Sequence, residues 1–411
     1  MRFETYEQAE QWILSRKKLL VYYEPFAAAM KEAGDPQKDL LCFHVAGTNG
    51  KGSTCCVLYE ILRTKYRKVG RYTSPQLISF RDRTVINDEW IPGNKVLEYA
   101  NRYEELIERY ELGTVGISTM FSFLWFKEEK VDAAVIETTM GGRYDTTNII
   151  PSAAVSVITS IGFDHMEFLG GTLAEIAGEK AGIIKENRPV VIGDMEEEAL
   201  AVIEQEAAVR HARVLRCLPF EDCGGTAFLA DGIRYETGNT APYFKYDAAL
   251  ALTAAKTDGI DLSSEAVRAA VKNSSWPGRF ETVSVHPRIV IDGAHNPDGM
   301  NALKNAAREC PHPLIGVFTA LKDKQGPEMK RLMESFCDSV IVTEFSNYRA
   351  ADAASLGGCI VKDWRKAVEE ACALAGETGT VLVSGSLYFI SEVRNYVLQK
   401  QKQKQPHSGQ N

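Results

Sequence analysis

The chain has 411 residues, of which 45% are hydrophobic and 25% charged, with a formal net charge of −8. That length exceeds what one hydrophobic core serves, so two domains of unequal size are expected, and the ordinary composition excludes extended disorder away from the ends. The negative charge is spread along the chain instead of gathered into a tail, which argues against nucleic acid or an anionic membrane as the main partner.

Met1 to Glu10 has mixed charge and no apolar h-region, and no apolar run is long enough to cross a bilayer, so the protein is expected to stay in the cytoplasm. Nine cysteines at irregular spacings, with no CxxC pair, read as reduced thiols. Thr5 to Leu20 has helical periodicity, with Tyr6, Ala9, Ile13 and Leu20 near one face, and precedes a turn-rich GDPQ segment. Leu40 to Ala46 then reads as a buried strand, followed by a Gly-rich turn and an apolar helix from Ser53 to Arg63.

The stretch HVAGTNGKGST, residues 44–54, is the most informative in the chain. Gly47, Gly50 and Gly52 let the backbone turn its N–H groups inward, with Thr48 and Asn49 between them, and the following helix adds its amino-terminal dipole at the same point. That geometry holds phosphate. Lys51 is placed to reach the β/γ-phosphates, and Ser53 or Thr54 to offer a hydroxyl to magnesium. The pattern departs from GxxxxGK[ST], because Val45 takes the first Gly position and Gly52 follows the lysine.

VDAAVIE, residues 131–137, reads as a second buried strand ending in Glu137, at the end of a parallel strand where ligands bind. A carboxylate there suits magnesium, which takes hard oxygen ligands and keeps waters; a helix cap or salt bridge is the alternative role. AAVSVIT (153–159) and PVVIG (189–193) continue the alternation of strands and helices. His165, in SIGFDHMEFLG, is either a metal ligand or a satisfied structural histidine. In GGTLAEIAGEKAGIIK, Thr172 and Glu175 have capping-box spacing, and Leu173, Ile176, Ala177, Lys180 and Ile184 share a stripe. Lys180 therefore points inward and is partnered, deprotonated or modified, unless it snorkels to solvent.

WPGRFE, residues 276–281, breaks the helical Ser264–Lys272 pattern and marks the domain boundary. Beyond it RIVIDGAHN, LIGVFTALKD, SVIVTEF and TVLVSGS are four strand-to-loop runs, each followed by a helical pattern. Arg279, Asp292, His295 and the cations of LKDKQ are positioned to meet phosphate or carboxylate charge, in a cleft between domains. The expected fold is α/β: a P-loop-type, mostly parallel sheet domain over 1–281, a smaller Rossmann-like domain over 282–398, and a loose tail over 399–411.

HVAGTNGKGS, YTSP, GGRYDTTN, FDHMEFLG, EKAGIIK, WPGRFE, DGAHNP, LKDK and SGSLYF occur in the order seen in the folylpolyglutamate synthase and dihydrofolate synthase family, related to the Mur ligases, and the resemblance covers nearly the whole chain. It implies ATP held between two domains by the residues 47–54 and by Asp247, Arg279, Asp292 and His295. It implies two Mg2+ ions, held at Ser53 and at Ser74, Glu137 and His165, with Lys180 carbamylated to bind one of them. Catalytic roles fall on Lys51, Lys180 and His165; Gln76, Asp145 and Ser386 are implied on the substrate side. Departures lie in Gln76, where the family has His, in Val115-Gly-Ile-Ser-Thr, which lacks the family's Glu, in Glu137-Thr-Thr-Met-Gly-Gly, where the family has EVGLGG, and in Asp247, where Asn is common.

The implied reaction transfers the γ-phosphoryl group of ATP to the γ-carboxylate of a folate, and L-glutamate then displaces phosphate to form an amide. Dihydropteroate as acceptor, a Mur-type substrate, and a nucleotide-binding scaffold without catalysis are the rival readings. Partners are expected to be folate, L-glutamate and ATP, on a monomer.

Overall fold

The computed structural model describes residues 2–16 and 23–404. By their contacts these residues form two compact units, one of residues up to Gly238 plus Tyr246–Ser275, the other of Asn239–Lys245 plus the chain from Trp276.

The first unit is built on an eight-stranded sheet made of β1 (Cys42–Ala46), β2 (Val69–Tyr72), β3 (Thr84–Ile86), β4 (Glu89–Trp90), β5 (Ala133–Glu137), β6 (Val155–Ile158), β7 (Val190–Ile192) and β8 (Val214–Arg216), in the order β4-β3-β2-β5-β1-β6-β7-β8. The six strands from β2 to β8 run parallel, and β3 and β4 add an antiparallel edge. Side chains on a strand alternate between faces, and Cys42, Phe43, Val45 and Ala46 are all fully buried, so β1 is covered on both faces. The helix Lys51–Leu62 packs on β1, β2 and β5, while Ala46, Ile158 and Ile192 form a core with Ile176 and Ala177 of the helix Leu173–Ala181.

The first helix is Tyr6–Ser15, with the Thr5 hydroxyl accepting from Gln8 N at its start. It buries Ala9 and Ile13; Leu20 lies outside the described residues. A second helix, Tyr23–Glu32, precedes the GDPQ turn and was not anticipated; it buries Phe26, Ala29 and Met30. Also unanticipated is an antiparallel sheet of β9 (Phe220–Asp222), β10 (Ala227–Ala230) and β11 (Ile233–Glu236). Its short strands are set apart by Cys223-Gly-Gly and Asp231-Gly turns, and Phe228 stacks on Tyr235 with ring centroids 5.5 Å apart.

In the second unit β12 (Glu281–Val285), β13 (Arg288–Ile291), β14 (Leu314–Phe318), β15 (Ser339–Glu344), β16 (Cys359–Asp363) and β17 (Thr380–Ser384) form a sheet in the order β12-β13-β17-β14-β15-β16. All neighbours are parallel except β12 and β13. The chain advances from β14 to β16, then returns to insert β17 between β13 and β14. The expectation of a loose tail from Gln399 is corrected: the final helix runs Leu387–Lys404, and Lys400 pairs with Glu369 at 2.7 Å while Gln401 donates to Val283 O at 2.9 Å. The partners of Lys400 and Gln401 outweigh the polar composition of this stretch. Residues 405–411 lie outside the described residues.

Candidate active site

The loop between β1 and the helix Lys51–Leu62 lies where the strand order of the first sheet turns, next to the end of β5. Val45 is in register with Glu137 on one side, and Ala46 with Ile158 of β6 on the other. The segment following β6 fixes the loop: Thr48 N donates to Ser160 O at 2.8 Å, Thr48 Oγ1 to Gly162 O at 3.1 Å, and Asn49 N to Ser160 Oγ at 3.0 Å. Gly50 precedes the helix with φ +84°, and no side chain caps the helix start, so its first-turn amides are available to an anion. A Cβ at Gly50 would stand 2.3 Å from Asp247 Oδ1, which places Asp247, on the helix Pro242–Thr257, against the loop.

Ser53 Oγ and Thr54 Oγ1 are buried and have no hydrogen-bond partner among the described residues. A buried hydroxyl without a partner is costly, and its retention fits a ligand that completes it. Glu137 is 3% exposed, and its Oε2 accepts Ser74 N at 3.1 Å, so Ser74 is held by its main-chain amide. Among the described residues no group of three or more His, Cys, Asp or Glu side chains is arranged to hold a metal. One buried carboxylate and orphaned hydroxyls on neighbouring elements are donors of the kind magnesium takes, its remaining ligands coming from phosphate and water.

Two lysines meet at one carbonyl. Lys51 Nζ donates to Gly47 O at 2.9 Å and Thr48 O at 3.2 Å, and Lys180 Nζ donates to Gly47 O at 3.0 Å. Lys180 is buried, and burial, followed by the charge of Lys51, lowers its ammonium to about 7, against the opposing pull of Asp164, Asp145 and Glu179. It is thus available as a neutral amine near neutral pH. His165 adopts the left-handed conformation at φ 51° ahead of the short helix Met166–Leu169; its N–H donates to Asp164 Oδ1 at 2.8 Å, and its Nε2 lies 4.0 Å from the same oxygen.

Asp145 lies in a buried network. Its Oδ2 accepts Thr139 N and Met140 N, both at 2.9 Å, and its Oδ1 accepts Thr147 N at 2.9 Å and Thr147 Oγ1 at 2.6 Å. Because the Thr147 hydroxyl donates to Asp145, it accepts from His44 Nε2, 2.8 Å away. Burial holds that imidazole well below its usual range and neutral. Asp145 thereby pins the segment that follows Glu137, and Gly142 of that segment packs so close to Lys180 that an added Cβ would stand 2.9 Å from Lys180 O. Gln76 Oε1 accepts Arg83 Nε at 2.6 Å. Val115–Thr119 lies within the helix Thr114–Glu128, where the Thr119 hydroxyl donates to Tyr72 OH at 3.1 Å.

Arg279, Asp292, His295 and Ser386 belong to the second unit. The oxygens of Asp292 accept Phe280 N at 2.8 Å, Ala294 N at 2.8 Å and the Tyr243 hydroxyl. Arg279 NH1 lies where a Cβ on Gly293 would approach to 2.1 Å, and His295 Nδ1 hydrogen-bonds Gly293 O at 2.8 Å. Ser386 Oγ, after β17, and Thr319 Oγ1, after β14, are both buried without a partner among the described residues, at the point where the strand order of the second sheet reverses. Sequence reasoning missed Thr319, Arg83 and His44. A threonine ending an apolar strand and an arginine between two short strands carry no periodic signal, and only the orphaned donors single them out.

Two stretches match known ligase domains: residues 45–218 match the Mur ligase middle domain and residues 278–387 the Mur ligase glutamate ligase domain. The fold and the site thus define a Mur-type ligase. The dihydrofolate synthase/folylpolyglutamate synthase of Bacillus subtilis is 35% identical over 95% of this chain and 99% of its own length. The Mycobacterium tuberculosis folylpolyglutamate synthase complexed with ADP superposes with TM-score 0.87 at 30% identity, covering 95% of this chain and 98% of its own. Escherichia coli FolC in complex with DHPP and ADP gives 0.86 at 28% identity, covering 97% and 99%. The chain belongs to the folylpolyglutamate synthase/dihydrofolate synthase family. Among the described residues no helix is long and apolar enough to cross a membrane.

Proposed function

We infer that this protein is an ADP-forming ligase that uses ATP to join L-glutamate to the γ-carboxylate of a folate. The observation that carries the reading is the loop at Gly47–Thr54: open helix amides, orphaned Ser53 and Thr54 hydroxyls, two lysines on one carbonyl, and Glu137 on the neighbouring strand. A relative of the same family is named for these activities, and related structures contain ADP.

In the first step a carboxylate oxygen of the acceptor attacks the γ-phosphorus, the bond to the β-phosphate oxygen breaks, and ADP leaves. In the second the glutamate amine attacks the acyl carbon, phosphate leaves with the bonding pair, and the nitrogen loses a proton to become an amide. Lys51, released from Gly47 O, and the loop amides stabilise the charge spread over the transferring group. Ser53 and Glu137, with Ser74 and His165, are the residues that would hold magnesium, which would supply charge neutralisation on the phosphates. Lys180, as a neutral amine, is suited to carbamylation, which would convert it into an oxygen ligand. In the second unit the buried hydroxyls of Thr319 and Ser386 suit a carboxylate of L-glutamate, and Arg279 and His295 suit phosphate charge.

Dihydropteroate is the second acceptor to consider, because the Bacillus subtilis relative carries both activities in its name and the Escherichia coli structure contains DHPP. Formation of ADP with tetrahydrofolate plus glutamate, with dihydropteroate plus glutamate, and with no acceptor tests the reading. Acceptor-dependent release supports it, and basal hydrolysis that no acceptor changes would replace the ligase with a nucleotide-binding scaffold.

A further inference from the structure

We propose that Arg83, held by Gln76, binds the carboxylate of the acceptor substrate. This rests on the reading of the acceptor as a folate, and it names the side chain that receives it. Arg83 immediately precedes β3 and is 5% exposed. Its Nε donates to Gln76 Oε1 at 2.6 Å, while NH1 is buried without a hydrogen-bond partner among the described residues. A guanidinium does not lose its charge at any pH a protein survives, so burial leaves it needing acceptors.

Among the described residues its hydrogen-bond partner is Gln76, and Asp82 is the neighbouring charge. The neighbouring Asp82 is already committed, its Oδ2 accepting Leu77 N at 3.0 Å, Ile78 N at 2.6 Å and Ser79 N at 3.2 Å. The partner on Nε is a neutral amide, which fixes the fork without cancelling its charge. A planar guanidinium whose NH1 has no partner among the described residues matches a carboxylate oxygen.

Position selects which carboxylate. Arg83 O accepts Thr73 N at 2.9 Å, and the next amide, Ser74 N, donates to Glu137 Oε2 at 3.1 Å. In the strand order β3-β2-β5-β1, Glu137 ends β5, with the phosphate loop beyond β1 on one side and Arg83 on the other. An anion at Arg83 is therefore separated from the phosphate loop by the carboxylate read as a metal ligand, which is the side on which an acceptor awaits a phosphoryl group.

The test compares binding of tetrahydrofolate and its γ-carboxamide by calorimetry on the full chain, alongside steady-state ADP formation. The wild type should prefer the acid at least about tenfold, the scale of one charge-assisted contact. In Arg83→Gln the two ligands should bind within about twofold of each other, with KM for tetrahydrofolate raised about tenfold and KM for ATP unchanged. Gln76→Ala, at a half-exposed position, should lower the acid preference part of the way. A folded Arg83→Gln that keeps the wild-type preference overturns the assignment; if that variant does not fold, an unchanged preference in Gln76→Ala does so. A wild type that forms no acceptor-dependent ADP would instead overturn the ligase reading itself.

Discussion

Lys180 Nζ donates to Gly47 O at 3.0 Å, so an amine from the helix Leu173–Ala181 is buried against the loop that precedes Lys51. Burial, reinforced by Lys51, brings its folded value to about 7 from 10.5. Between these values the unfolded chain binds more protons, so stability rises with pH across that window and the cost of the buried charge is fully present below it. The unfolding free energy of the wild type relative to Lys180→Met should increase by about 2 kcal/mol from pH 7 to pH 9. Urea titrations at the two pH values measure it, and a flat difference would show that Lys180 keeps its charge.

Lys51 is folded back on Gly47 O and Thr48 O in this structure. In the proposed reaction it turns to the phosphates. Replacement by Ala should leave the fold intact and reduce acceptor-dependent ADP release about 100-fold or more, the scale of one lost charge-stabilising donor. Undiminished turnover would remove Lys51 from the chemistry.

Gly50 combines φ +84° with contact to Asp247. In Gly50→Ala the new Cβ meets Asp247 Oδ1 at 2.3 Å and also sits in a disfavoured backbone region. ADP affinity should fall about tenfold or more, and adding Asp247→Ala should recover only the steric part, because the backbone strain of about 1 kcal/mol remains. Full recovery in the double variant would mean that the loop tolerates the strained φ at no cost.

Asp145 ties Thr139 N, Met140 N and Thr147 to one buried carboxylate. Burial raises its carboxyl, and the hydrogen bonds from Thr147, Met140 and Thr139 pull it back. Asp145→Ala leaves those donors unmet and should cost about 3 kcal/mol in urea unfolding. The binding of an acceptor should weaken as a consequence of the loosened segment after Glu137. A stable variant that loses only acceptor binding would make Asp145 a direct substrate contact.

The residues 44–54 announced the phosphate loop because strand, glycines, lysine and helix are contiguous, and local geometry alone turns their amides to one point. Lys180 was legible as an inward lysine for a similar reason: the stripe Leu173, Ile176, Ala177 and Ile184 sets the buried face of its helix. The alternation of apolar runs and helical patterns likewise determined two α/β sheets. What it did not contain was pairing across the chain. That Gln76 fixes Arg83, that Thr147 joins His44 to Asp145, and that Thr319 and Ser386 end neighbouring strands all depend on strand order, which periodicity does not encode. The helical turn from Gln399 to Lys404 is the converse case, a polar stretch held by partners on Glu369 and Val283 that lie far away in sequence. Composition and spacing thus determined the fold class and singled out the glycine-rich loop, whereas the tertiary structure decided which buried polar groups find partners among the described residues, because satisfaction is a property of neighbours in space.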